Sequence, residues 1–379
     1  MASFLGSIKN IFSSGHKGAA LGIDIGSASI KVALVENVNE KAVLRNYGEI
    51  ALGPLAGVSV GQATNLSPEK VTEALQSLLK EAGIVAGHTF IAIPFSASLL
   101  SVAELPEVEK KEFESMIMNE ARRYIPVPIS EVSLDWWVLP RRKSKEILFT
   151  PTTTALEGEP KQVGKTEVII AAIHNEVIKK YESIKRDAHI PGEASHFEIE
   201  IFSTLRAVAA KDLSPTIVVD IGAGSTKVAL VDEGVARGSH VVSMGGQDLT
   251  LALSRSKGIS FEKAEEIKCR VGVVGDEEGR DVLAVAELLL ANIMNEAARF
   301  AENYERKHET KITRVILVGG GARLKGIEKV VAKSFPQSLV TVGDPFSRVD
   351  TPAFLASTLK ELGPSFTVAI GIALKGLEE

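Results

Sequence analysis

The stretch ALGIDIGSASIKVALVE, Ala20 to Glu36, returns downstream as IVVDIGAGSTKVALVD, Ile217 to Asp232. Superimposed from Asp24 and Asp220, the two phrases agree at eight of eleven positions, more than shared strand composition supplies. In each copy, alternating strand residues run into Asp-Ile-Gly, a turn of small residues follows, and a β-rich run resumes. That pattern predicts two β-hairpins, opening two halves of the chain. Small residues at Gly26 and Ser27, and at Gly222, Ala223 and Gly224, let a phosphate approach the main chain so that backbone amides can donate to it. Hydroxyls at Ser29, Ser225 and Thr226 add donors. An acid at the strand end suits a phosphate site only with a divalent cation or its waters in between, so Asp24 and Asp220 would hold Mg2+ through its hydration shell. Lys31 supplies compensating charge. One such hairpin is a weak signal, because glycine turns with an acid are common in ordinary sheets. Two matching ones can clamp a nucleotide from opposite sides of a cleft.

A two-hairpin clamp also needs something to hold the nucleoside. RVILVGGGARLKGIEKVVAKSF, Arg314 to Phe335, reads as a buried strand, a triple glycine and an amphipathic helix. There Gly319, Gly320 and Gly321 let a flat base or ribose lie close to the backbone. Upstream, SFEKAEEIKCRVG starts a helix with a Ser260 cap and places Glu265 and Lys268 one turn apart on one face. Such a pair can hydrogen-bond a ribose edge and approach the base; without the glycine motifs it would read as a solvated charge pair.

Composition sets limits around this reading. A chain of 379 residues is too long for one comfortable core, so two or more domains are expected. A formal net charge of -5 argues against a general nucleic-acid binder, which needs a basic surface to displace counterions. One cysteine, Cys269, leaves no internal disulfide and no thiolate metal cluster, a pattern that fits a reducing cytoplasm. The seven histidines show no short helical pair, so surface or packed positions are expected for each. No segment reaches the apolar length of a membrane span, and the N-terminus MASFLGSIKNIF lacks the basic lead and long apolar centre of a signal peptide. Phe4, Leu5, Ile8, Ile11 and Phe12 do fall on one helical side. A short amphipathic helix there could lie on a membrane or a partner, or be a mobile arm.

The order of these motifs is similar to that of the actin, sugar kinase and chaperone ATPase superfamily. Within it the chain resembles the PilM family, the cytoplasmic actin-like proteins of type IV pilus assembly. The narrower resemblance rests on GIDIGSASIKVALVE, NEARRYIPVPISEVSLDWWVL (Asn119 to Leu139), VIIAAIHNEVIKKYESI (Val168 to Ile184), FEIEIFSTLRAV (Phe197 to Val208), MGGQDLTLAL (Met244 to Leu253) and the terminal VAIGIALKG. It spans almost the whole chain, and the division protein FtsA is the nearest rival.

The resemblance implies an α/β fold: a duplicated actin-like, ribonuclease H-like core of two domains around a nucleotide cleft, with an FtsA/PilM-type inserted subdomain. The implied map is an N-terminal arm over 1–17, a first core subdomain over 18–91 and 191–213, the insertion over 92–190, a second core subdomain over 214–245 and 312–379, and an accessory helical lobe over 246–311. Arg141 to Glu167, polar and broken by prolines, is expected to be a long flexible loop. ATP and Mg2+ are the implied ligands, with hydrolysis slow or absent. Asp24 would orient the metal waters; Gly26, Ser27, Ser29 and Lys31 would face the terminal phosphates. Asp220, Gly222, Gly224, Ser225 and Thr226 would form the second clamp. Glu200 lies where the superfamily often positions the attacking water; a structural buried acid is the other reading.

The implied function is a scaffold docked to the inner face of the cytoplasmic membrane by the cytoplasmic tail of a PilN-like protein, with self-association and membrane contact through the N-terminal arm as further expectations. The alternatives are an FtsA-like division tether and, with less support, a small-molecule kinase. The absence of a C-terminal linker and amphipathic helix after IGIALKGLEE counts against the division reading. Trp136, Trp137 and Tyr124 read either as anchors for a partner peptide or as core.

Overall fold

The computed structural model describes residues 18–84, 88–106, 110–140, 165–190, 196–209, 212–275 and 279–378. The expected N-terminal arm and almost all of the expected loop from Arg141 lie outside these residues. The first repeated phrase builds β1 (Ala19–Ile25) and β2 (Ser29–Val38), continued by β3 (Lys41–Ala51) as an antiparallel meander. β4 (His88–Ile93) and β8 (His196–Ile199) extend the sheet in parallel, giving the order β3-β2-β1-β4-β8.

The second phrase repeats the plan with β9 (Thr216–Ile221), β10 (Thr226–Asp232), β11 (Val235–Val242), β12 (Arg314–Val318) and β13 (Leu339–Val342), in the order β11-β10-β9-β12-β13. The register repeats as well: Asp24 lies opposite Lys31, and Asp220 opposite Lys227. Even the irregularity in pairing recurs, between Leu34 and Val35 in one sheet and between Leu230 and Val231 in the other. A bulge at equivalent places adds local twist to both meanders.

Between β4 and β8 the chain makes a separate three-stranded antiparallel sheet from β5 (Ser98–Pro106), β6 (Val132–Val138) and β7 (Lys165–His174), in the order β5-β7-β6. β7 alternates with period two. Val168, Ile170 and Ala172 pack with residues of helix α2 (Lys110–Tyr124), while Ile169, Ala171 and Ile173 join the core of the first half. Trp136 meets Phe113 edge-on and Trp137 packs on the main core, whereas Tyr124 is 40% exposed. Ion pairs tie this insertion to the second half, from Arg237 to Glu167 at 2.8 Å and from Lys307 to Glu104 at 2.6 Å.

Helices α1 (Pro68–Glu81) and α3 (Asn175–Asp187) pack together beside the first sheet and contribute to its core. α4 (Glu200–Val208) leaves β8 directly, so that Glu200 opens its first turn. The second sheet carries α5 (Gly246–Lys257), α6 (Phe261–Val271), α7 (Arg280–His308) and α8 (Ile327–Ala332), whose apolar faces close its core. After β13 the chain returns to the first half through α9 (Ala356–Leu362) and α10 (Thr367–Glu378), and α10 lies against α4 and β1. Two glycines permit that approach. A Cβ on Gly371 would collide with the Ser203 carbonyl, and one on Gly22 with the Ala369 carbonyl.

The same crossing buries an ionic cluster. Arg206 pairs with Glu198 at 2.7 Å and with Glu378 at 3.3 Å, Ser203 donates to Glu198 at 2.6 Å, and Lys375 lies 3.8 Å from Glu198. Burial pushes the Glu198 carboxyl up, but the Arg206 and Lys375 charges outweigh it and hold it below the usual carboxylate range. Among the described residues no helix is long and apolar enough to cross a membrane.

Candidate functional site

A cavity of ≈ 660 Å³ opens between the two halves, and the hairpin turns face each other across it. Gly26, Ser27 and Ser29 border it from the first half; Gly222, Gly224 and Ser225 border it from the second. The turns are closed alike, by Gly26 N–H to the Ser29 carbonyl and by Gly222 N–H to the Ser225 carbonyl, each 3.0 Å. The triple glycine forms a third wall. Gly319 has φ +83°, and a Cβ there would strike the Asp220 carboxylate and the Ile221 carbonyl, so only glycine fits. A Cβ on Gly321 would enter the Ile221 side chain, whereas Gly320 has open space before it.

Thr226 is the correction. Its hydroxyl, expected to face a phosphate, is fully buried and donates to the Met244 carbonyl at 2.8 Å. Strand alternation is the reason: Lys227 points into the cleft, so its neighbour points away. The first copy carries Ile30 at that place, also fully buried.

The floor of the cavity gathers Asp24, Glu200, Asp220 and Lys227. Lys227 Nζ lies 3.2 Å from the Glu200 carboxylate and 3.7 Å from Asp220. Burial alone would depress this ammonium; the carboxylates of Glu200, Asp220 and Asp24 override it and hold the lysine well above its usual range. Glu200 also accepts the Phe95 backbone N–H at 2.6 Å. Asp24 is pushed up to about 6, chiefly by burial and further by Glu200 and Asp220, against Lys31 and Lys227. Lys31 has different partners, donating to Ser29 Oγ at 2.6 Å and pairing with Glu49 at 3.3 Å. The sequence reading assigned Lys31 and passed over Lys227, although the repeat itself sets the two at the same place.

Glu265 and Lys268 reach the cavity from α6 and pair at 2.7 Å. Both also bond within their own lobe, since Lys268 donates to the Gly246 carbonyl at 3.1 Å and to Thr250 Oγ1 at 2.8 Å, and Thr250 donates to Glu265. Across the mouth runs a strap from the first half that no local sequence signal marked. Ala63 N–H donates to Gln247 Oε1 at 3.0 Å, Thr64 N–H to the Ser27 carbonyl at 2.8 Å, and Gly61, at φ +87°, lies against the Glu265 carboxylate.

The donor set suits a polyphosphate carried with a divalent cation. Two small-residue turns and the cations Lys31, Lys268 and Arg323 border the space, while three carboxylates crowd its floor around one lysine. Among the described residues no three His, Cys, Asp or Glu side chains are grouped so as to hold a metal ion directly.

Residues 22–377 match the family model described as type IV pilus assembly protein PilM. The chain belongs to that family. Its fold agrees with that of a solved PilM-PilN type IV pilus biogenesis complex, at 26% identity and a TM-score of 0.74 over 95% of this chain and 99% of the other. FtsA of Pseudomonas aeruginosa is 22% identical over 95% of this chain and 89% of its own length. The ethanolamine utilization protein EutJ of Escherichia coli is 28% identical over 38% of this chain; that match spans about half of the relative, 47%. The expected α/β fold, two actin-like halves about a cleft, is thus the fold of this PilM-family chain.

Proposed function

We propose that this chain is an ATP-binding scaffold of a type IV pilus or related inner-membrane assembly platform, peripheral at the cytoplasmic face of the membrane. The observation that carries the reading is the pair of duplicated turns facing each other across one cavity, a geometry that lets a single nucleotide join the two halves. A bound Mg2+·ATP would supply negative phosphates for the turn amides and Lys31, and a divalent charge for Asp24 and Asp220. The chain's own part is to hold and orient these groups: Gly319 and Gly320 make room for the nucleoside beside Asp220, and Glu265 and Lys268 offer it polar contacts. Hydrolysis is slow or absent, and the nucleotide sets the relative position of the halves.

Family membership and the likeness to the PilM-PilN complex support a PilN-like partner, whose cytoplasmic tail would dock between the first half and the insertion. Likeness to FtsA over nearly the whole chain favours one second reading, a division tether.

The test is fluorescence anisotropy with a labelled N-terminal tail peptide of a PilN-like protein in ATP and Mg2+, with an FtsZ C-terminal peptide in parallel. Saturable binding of the first alone supports the pilus platform. Binding of the second alone moves the chain to cell division.

A further inference from the structure

Lys227 is the charged group at the centre of the cleft floor, and its surroundings differ from those of its repeat partner. Lys31 is held by Ser29 and Glu49 on its own sheet, at the side of the cavity. Lys227 reaches across from the second half to Glu200 on the first, with Asp220 also in range. Among the described residues, Asp24 on β1 and Tyr181 on α3 also feel its charge.

Both carboxylate oxygens of Glu200 are engaged. Oε1 accepts the Phe95 N–H at 2.6 Å and lies 3.2 Å from Lys227 Nζ; Oε2 accepts from the same ammonium at 3.2 Å. A carboxylate that activates water has to turn an oxygen toward that water. Glu200 is 6% exposed, and its two oxygens are held in place by the Phe95 N–H and the Lys227 ammonium. The pair spans the two halves, so it also resists the displacement that would turn Glu200 toward a phosphate.

We infer that Lys227 is a positioning residue that holds Glu200 out of catalysis, so that the cleft retains nucleoside triphosphate instead of hydrolysing it. The inference rests on the nucleotide-binding reading above and adds the reason for slow turnover. In the reaction that Lys227 restrains, the oxygen of a water forms a bond to the γ-phosphorus while the bond to the β–γ bridging oxygen breaks, its electron pair leaving with ADP. The proton released by the water passes to the carboxylate and on to solvent. With Lys227 clamped on Glu200, the carboxylate is fixed on the ammonium and does not turn to the water.

The experiment compares the full chain with its Lys227→Met and Lys227→Arg variants by two readouts, affinity for the non-hydrolysable analogue AMPPNP and single-turnover hydrolysis of ATP with Mg2+. A positioned base contributes roughly 10²–10⁴-fold to such reactions. Releasing Glu200 should therefore raise the hydrolysis rate of Lys227→Met about tenfold or more, with AMPPNP affinity within about threefold of wild type. Lys227→Arg keeps the ion pair and should show no such rise, and adding Glu200→Gln to Lys227→Met should remove the gain. If Lys227→Met does not fold by circular dichroism, Lys227→Gln is measured in its place. Unchanged or slower hydrolysis with AMPPNP affinity retained overturns the inference and leaves the binding reading standing. A loss of AMPPNP affinity of tenfold or more makes Lys227 a phosphate ligand and overturns it too. Failure of the wild-type chain to bind AMPPNP overturns both readings.

Discussion

Asp24→Asn separates what the acids of the cleft cost from what they do. Asp24 is pushed from its ordinary 3.8 to about 6, with burial the largest cause, Lys31 and Lys227 opposing it, and Glu200 and Asp220 adding to it. A folded-state value above the unfolded one means that the folded protein holds this proton the more tightly. Stability is therefore lost as pH rises from the lower value through the higher, and the full loss stands above both. At about 1.4 kcal/mol per pH unit, the rise sets a ceiling of ~3 kcal/mol near neutrality, because Asp24 keeps some contact with the open cavity. Near pH ~4.5 the same linkage gives about 1 kcal/mol.

Asparagine removes the charge and keeps the shape. Without nucleotide, the variant should be more stable than wild type, by about 2 kcal/mol more near pH ~7.5 than near pH ~4.5. An unfolding entropy of about 2 cal/mol/K per residue turns that difference into about 2–3 °C of melting temperature for a chain of this length. Scanning calorimetry at the two pH values reads it. Adding ATP and Mg2+ should then raise the wild-type midpoint and leave the variant where it was, because on the proposed reading Asp24 orients the metal waters. A variant that shifts equally at both pH values, or melts lower at neutral pH, refutes the claim that burial and neighbouring carboxylates load Asp24.

The remaining predictions concern binding and packing. Asp220→Ala should abolish binding of a fluorescent ATP analogue in titration while circular dichroism stays native. Thr226→Val should keep that affinity within about threefold, since its hydroxyl serves Met244; a loss of about tenfold or more, as for a hydrogen bond to a charged phosphate oxygen, would put Thr226 back in the clamp. Gly371→Ala should cost about 1–3 kcal/mol in denaturant titration, because its Cβ has to displace α4 at Ser203. Glu198→Ala should cost more, about 3–5 kcal/mol, by leaving Arg206 and Lys375 buried without their shared carboxylate. Adding Arg206→Leu to Glu198→Ala should recover part of that loss by the same measurement.

The repeated phrase carried the fold because a strand–turn–strand is local: period-two burial, the glycine turn and the Asp opposite Lys register all lie within a few residues. Thr226 shows where local reading was incomplete although the information was present. Its counterpart in the first copy is Ile30, an apolar residue that fixes the side of the strand facing the core. Lys227 shows a different limit. The repeat placed it level with Lys31, but its partner Glu200 comes from another strand–helix junction, and no pattern of spacing announces that meeting. The strap through Gly61 and Ala63 was illegible for the same reason, since its contacts with Gln247 and Glu265 join segments far apart in sequence. Glu198 is the same case, since Lys375 comes to it from a segment far away in sequence.

The seat of α10 bears on how this protein is made. Its strands β1 and β2 are among the earliest parts of the described chain to be synthesised, yet the helix that covers one face of that sheet is among the last. Until α10 emerges, Ala20, Val35 and Phe90 have no apolar neighbours from that helix. The first half is thus completed only when the second has been translated, and a ribosome-bound chain carries a bare sheet face through most of synthesis. Exposed apolar surface of that kind recruits chaperones and invites aggregation. Overproduction faster than chaperone supply should therefore fail at this face first, with the cleft between the halves playing no part in the failure.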